Sequence, residues 1–257
     1  MTAILQPIGR TFLNGLAAIG RLTLFALQAV LSALQPPYYP RLIAKQMIEI
    51  GYYSLPYVGM TAIFTGMVLV LQTYTGFKVA AESAMPTIVV ISLTRELGPV
   101  LAALIVAGRI GAAMAAEIGT MRVTEQIDAL STLGTNPFKY LIAPRLIAGL
   151  TMLPLLVGVG DSIGIFGGYI VSVYKLGFNP GNFLKNISEA ATFIDVFSGL
   201  VKAAVFGFTI SLMGCYHGFN SKGGAQGVGK ATTNAVATAM ILILILDYII
   251  TELFFSR

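Results

Sequence analysis

Charged residues are scarce in this chain. Asp, Glu, Lys and Arg make up 11% of its 257 residues, where soluble domains carry about 25%. So few charges cannot cover a soluble surface. The 56% hydrophobic content and mean hydropathy of +0.82 point instead to an all-α polytopic membrane protein. A single cysteine, Cys215, excludes disulfides and thiolate metal sites within one chain, and a single histidine, His217, excludes multi-histidine metal sites. Tryptophan is absent, so Tyr and Phe must supply any aromatic belt. The net charge is +5, but Lys and Arg are scattered, which argues against nucleic-acid binding. No His-Glu-x-x-His or Gly-x-Ser-x-Gly occurs, and Cys215 and His217 form no convincing catalytic pair. The first apolar stretch is interrupted by Arg10 and Arg21 and has no clear cleavage site, so it does not read as a signal peptide.

A helix needs about 20 apolar residues to cross the hydrocarbon core. Residues 4–34 are apolar but broken by Arg10, Asn14, Arg21 and Gln28, which predicts an amphipathic helix lying on the membrane. Pro36, Pro37 and Pro40 end it, and residues 41–53 suit an interfacial elbow. The chain thus divides into 1–53, helix and elbow, and 54–257, a five-span domain. The spans are expected near 54–74, 86–118, 141–173, 194–216 and 233–254. The second is about 50 Å long at 1.5 Å per residue, so it must protrude, tilt or break. Gly98-Pro99 is the expected break, since Pro99 leaves the Arg95 carbonyl without its helical donor. Nine Lys and Arg fall on the side of residues 1–53, 119–145 and 217–232, and four (Lys78, Lys175, Lys185, Arg257) on the other. The richer side is expected to be cytoplasmic, which places the N-terminus inside and the C-terminus outside.

Gly224-Ala-Gln-Gly-Val-Gly-Lys-Ala-Thr232 nearly spells a phosphate-binding loop. The magnesium-binding hydroxyl position is Ala231, and a membrane span precedes the motif where a buried strand is required. The run Ile241–Asp247 belongs to the fifth span. The motif therefore reads as a basic loop leading into a helix, and the chain is expected to bind no ATP or other cofactor itself.

Arg95, Glu96, Lys202 and Asp247 stand inside the expected spans, with Arg109 and Asp161. A charge at the bilayer centre costs about 2.5–3.5 kcal/mol, so such groups either line a cavity or pair with one another. The candidate pairs are Glu96 with Lys202, and Asp247 with an arginine. Gly160, Gly164 and Gly168 form one small-residue row, and Gly108, Ala112 and Ala116 another. Such rows let helices approach closely, within the chain or across a dimer.

The loop Gly119–Pro137 predicts a short helix. Thr124 can cap it, Glu125 suits its positive end, and Gly134 can end it after about nine residues. That is too short to be stable alone. Ile127, Leu130 and Leu133 make one apolar stripe, with Glu125, Asp128 and nearby Arg122 on another side. The pattern suits docking to a partner, or rest on lipid headgroups.

Leu93–Arg145, "LTRELGPVLAALIVAGRIGAAMAAEIGTMRVTEQIDALSTLGTNPFKYLIAPR", and Lys222–Val236, "KGGAQGVGKATTNAV", resemble the signature stretches of the MlaE family of ABC transporter permeases. The resemblance implies a homodimeric permease in the bacterial inner membrane that moves phospholipid between inner and outer membranes and maintains outer-membrane asymmetry. Its implied partners are an MlaF-like ATPase that holds ATP and magnesium, an MlaB-like STAS-domain subunit, and a periplasmic MlaD-like hexamer of MCE domains. Thr124–Leu133 would be the coupling helix in the ATPase groove. Arg95, Glu96 and Lys202 would line the lipid cavity near the headgroup, and Lys230 is a basic family position. A cavity could offer Lys202 or Arg95 to the phosphate, with Asp247 beside them, and Met67, Val70 and Leu71 to the tails. The rival readings are an ion-coupled secondary transporter using Glu96, Asp161 and Asp247, and a non-transporting membrane scaffold.

Overall fold

The computed structural model describes residues 2–76 and 81–256, with side chains from 13 to 76 and 84 to 256. Lys78 and Arg257, and the side chain of Arg10, lie outside the described residues. Every regular element described is helical. They are α1 (Thr2–Leu34), α2 (Pro40–Ile50), α3 (Leu55–Gly76), α4 (Ala81–Ser92), α5 (Gly98–Val106), α6 (Ala112–Val123), α7 (Gln126–Thr132), α8 (Ala143–Ile170), α9 (Pro180–Ala190), α10 (Phe193–Phe219) and α11 (Gly224–Phe255).

Six helical stretches among the described residues are long and apolar enough to cross a membrane, one more than the five expected. The additional one is Leu13–Leu34 in α1. Its contacts nevertheless stay at one end of the bundle. The Phe25 ring packs 5.2 Å from Phe138, Lys139 donates to the Pro36 carbonyl, and Tyr39 meets Tyr140 edge-on. The chain from the middle of α1 to the start of α2 therefore remains level with residues 138–140. Phe25, Ala29 and Ser32, at i, i+4 and i+7, form the buried face that holds it there.

α4, α5 and α6 run on without the expected break at Gly98-Pro99. Two π-helical turns, Leu93–Leu97 and Ala107–Gly111, join them. The first places one extra residue in the turn before Pro99, and the Gly98 N–H donates to the Leu93 carbonyl. This absorbs the proline without interrupting the helix. The surplus length protrudes, since α4 packs on α9 beyond the far end of α10 and α11. α9 was not expected. Its signal was the pair Asn179-Pro180: the Asn179 side chain accepts from the N–H of Gly181 and Asn182, and Pro180 occupies the first turn.

α8 is the centre of the bundle, packed against α3 on one side and α10 on the other. Glycines set both distances. A Cβ on Gly66 would overlap the Gly164 carbonyl, and one on Gly207 would overlap the Gly149 carbonyl. The row of Gly160, Gly164 and Gly168 is thus used within the chain, against Val58, Ala62 and Val70. In the row of Gly108, Ala112 and Ala116, Gly108 meets open space: nothing lies within 4 Å of a Cβ there. Gly111, one position aside, takes the packing role against α10, where Gly214 closes on its carbonyl.

This contrast is measurable. Gly207→Ala should lower the melting temperature of the purified protein, since forced overpacking costs about 1–3 kcal/mol. Gly158→Ala, which meets open space, should leave it unchanged or raised, because Ala favours the helix by about 1 kcal/mol. Equal effects of the two substitutions would refute the close packing of α8 on α10.

Candidate functional site

Of the charges expected inside the spans, Arg95, Glu96, Lys202 and Asp247 gather at the end of the bundle where α10 begins and α11 finishes, while Arg109 and Asp161 stand apart. Lys202, two turns into α10, is fully buried. Its ammonium donates to Glu96 Oε2 at 2.7 Å and to the Arg95 carbonyl at 3.0 Å, and lies 2.8 Å from Asp247 Oδ1. The Arg95 carbonyl is the one that Pro99 deprives of its helical partner. One lysine thus answers the proline and Glu96 by hydrogen bonds and Asp247 by charge. Glu96 is held further by the Thr251 hydroxyl at 3.0 Å.

The expected pairing of Glu96 with Lys202 is present. Asp247 pairs with Lys202 rather than with an arginine. Arg95 turns elsewhere. Its Nε donates to Asp195 Oδ1 at 2.6 Å, and its guanidinium lies over the Phe255 ring at 4.2 Å. Sequence reasoning missed Asp195. Its signal was Thr192-x-x-Asp195 at the head of a span: Asp195 also accepts from the Thr192 N–H, closing a capping box. Lys202 is fully buried among these partners. Glu96 and Arg95 do reach the surface, with side chains 39% and 33% exposed.

Lys230 is not part of this cluster. It lies on α11, 17 residues before Asp247, or about 25 Å along a straight helix. The phosphate-loop look-alike is itself helix, because α11 begins at Gly224. On α3, Met67, Val70 and Leu71 turn inward to a small core with Met85, Val89 and Val171. The outward stripe is Met60, Phe64 and Val68, four residues apart. With Thr61, Thr65, Leu69 and Leu97 it lines an apolar groove of about 510 Å³. Which face of α3 turned inward was decided by glycine packing on α8, which hydrophobicity alone does not encode.

The short helix forms, but shorter and differently held. α7 is seven residues long. Thr124 does not cap it. Its hydroxyl bonds back to the Thr120 carbonyl at 2.8 Å and so closes α6. The residue at the cap is Glu125, in the left-handed region at φ 59°. Such a backbone aims the Glu125 side chain away from the amides that Thr124 was expected to serve. The apolar stripe divides. Ile127 is buried in the chain's own core, Leu130 packs at its edge, and Leu133 is 80% exposed. Asp128 pairs with Arg122 at 2.6 Å, and Arg122 also faces the Phe219 ring. Glu125 and Leu133 are thus left outward.

Two further arginines brace the frame. Arg109 donates to the Ser54 hydroxyl and the Glu49 carbonyl, fixing the bend between α2 and α3. Arg145, buried on α8, pairs with Glu117 of α6 at 2.7 Å. Among the described residues, no three His, Cys, Asp or Glu side chains group to hold a metal.

The chain matches the family model described as permease MlaE over residues 43–253. It is 56% identical over 254 residues to a probable ABC transporter permease protein of Rickettsia bellii, covering 98% of each chain. It is 42% identical over 230 residues to a probable ABC transporter permease protein of Synechocystis, covering 89% of this chain and 88% of the relative. It is 34% identical over 254 residues to the intermembrane phospholipid transport system permease protein MlaE of Haemophilus influenzae, covering 98% of this chain and 97% of the relative. A multi-pass helical bundle that matches this model over most of its length belongs to the MlaE family of ABC transporter permeases.

Proposed function

We propose that this chain passes phospholipid between the inner and outer membranes, as the membrane subunit of a transporter whose ATP is hydrolysed by a separate protein. The observation that carries this reading is the charged cluster at one end of the bundle. Lys202 anchors it from within, and Glu96 and Arg95 present half-exposed polar groups at its surface. An amphiphile needs such a polar edge beside apolar walls. The groove along Met60, Phe64 and Val68 supplies apolar surface on α3. The outward stripe of α11, with Ile241, Leu244, Ile245 and Tyr248 exposed, supplies more. Two copies pair in the inner membrane, with the open position at Gly108 available for close approach. The lipid lies between them, its headgroup near Arg95 and Glu96.

The end bearing α7 faces the cytoplasm and an MlaF-like ATPase, with an MlaB-like subunit attached to it. The end bearing α9 faces the periplasm and an MlaD-like hexamer. α7 is anchored on its own chain by Ile127 and by Arg122 with Asp128, so a push on Leu133 and Glu125 passes into α6 and the bundle.

Reconstitution with the partner subunits tests the reading: lipid should move between vesicles only when ATP is hydrolysed. Movement driven by an ion gradient would favour secondary transport, and none would favour a scaffold. Glu96→Lys should reduce lipid movement at least several-fold while the complex still assembles; unimpaired transport would defeat the role given to Glu96. Lys202→Met should instead lower the melting temperature of the permease itself, since it takes the donor from the Arg95 carbonyl and the cation from Glu96 and Asp247. Thermal melts of the purified chain check this.

For α7, Leu133→Asp combined with Glu125→Arg should weaken co-purification of the ATPase without lowering the permease's melting temperature. Ile127→Ala should lower that temperature, because truncating a buried Ile costs about 2–5 kcal/mol. An unchanged pull-down with the double variant would remove α7 from the docking surface.

A further inference from the structure

Asp161 takes no part in the charged cluster. It lies on α8, and its Oδ1 is buried with no hydrogen-bond partner among the described residues. A buried polar atom left in that state costs about 1–3 kcal/mol, so a donor is needed. A Cβ on Gly98 would collide with Asp161 Oδ1 and lie 2.7 Å from the Leu93 carbonyl oxygen. The two acceptor oxygens beside Gly98 are therefore close enough together for one water to donate to both. The carbonyl already receives the Gly98 N–H, but a carbonyl oxygen has a second lone pair.

A small cavity of about 20 Å³ opens beside Gly98. Its lining is apolar apart from Asp161, Thr61 and Thr65. A water needs about 10–15 Å³ by this measure and two to four polar partners. Asp161 Oδ1 and the Leu93 carbonyl are two, and the Thr hydroxyls are nearby candidates for a third. A calcium ion would need about six to eight oxygen ligands and magnesium a near-ideal octahedron, and the lining cannot supply either.

We propose that this cavity is an internal water site, in which one water donates to Asp161 Oδ1 and to the Leu93 carbonyl. The water braces the π-helical turn Leu93–Leu97 against α8, and that turn carries Arg95 and Glu96. Asp161 is then a positioning residue, acting through the turn. The proposal is independent of which cargo the permease carries.

Hydroxyl-radical labelling by X-ray radiolysis of the full chain in lipid nanodiscs tests it, because radicals formed from a bound water modify the buried side chains around it. Leu93 and Val157 are buried and line the cavity; Leu153 is equally buried and does not. In the parent chain, Leu93 and Val157 should be labelled several-fold more than Leu153. Asp161→Asn, which keeps an acceptor oxygen, should preserve that excess, and Asp161→Leu should abolish it. Gly98→Ala, whose Cβ would push the Asp161 carboxylate out of its place, should abolish it too, and serves where the Leu variant fails to insert. Labelling of Leu93 at the level of Leu153 in the parent, or an undiminished excess in the Leu and Ala variants, would overturn the proposal.

Discussion

The ammonium of Lys202 is the group on which the charged end of this bundle depends. Pro99 removes an N–H from the helix, and that loss would leave the Arg95 carbonyl unpaired in an apolar setting, at a cost of a few kcal/mol. Lys202 supplies the donor from α10, donates also to Glu96 of the π-helical turn, and forms an ion pair with Asp247 of α11. Three helices are thereby tied at one buried point. Glu96 is left with one oxygen on Thr251 and part of its side chain at the surface. A defect in the backbone and a partly exposed carboxylate are served by the same cation.

The neighbouring Arg95 and Asp195 repeat this economy one turn away. Asp195 caps α10 through the Thr192 amide and holds the Arg95 guanidinium, which rests on Phe255 of α11. Adjacent residues of one helical turn thus reach different partners, because about 100° separates them around the axis. A displacement of α10 relative to α11 must disturb both sets of bonds together. That suits a site that changes its exposure when a distant helix is pushed.

Close backbone approach supplies the rigidity through which such a push could travel. Where Gly66 meets Gly164 and Gly149 meets Gly207, carbonyls occupy the space a Cβ would take. Helices packed to that distance shift as units, because interiors at native density transmit strain. α7 enters this framework through Ile127 and Arg122, at the opposite end from Lys202.

Composition and hydropathy by themselves determined the class of protein and the places of the five membrane-length helical stretches after residue 54, because about 20 apolar residues in a row have few other uses. The oddity of Arg95, Glu96, Lys202 and Asp247 was equally legible, since charge in a span is costly wherever it points. So was the orphaned Arg95 carbonyl, a local consequence of Pro99. Tertiary structure alone decided the rest. It chose Lys202 over an arginine as the partner of Asp247, because that choice depends on how α10 rotates against α11. It turned Val70 inward and Phe64 outward on a helix apolar on every side, because the glycines of α8 set which face could approach. It drew Thr124 back to Thr120 and left Glu125 at the cap, because the chain reverses there at a positive φ that no side-chain preference announced. Spacing along a chain fixes neighbours within one helix; only packing selects neighbours between helices.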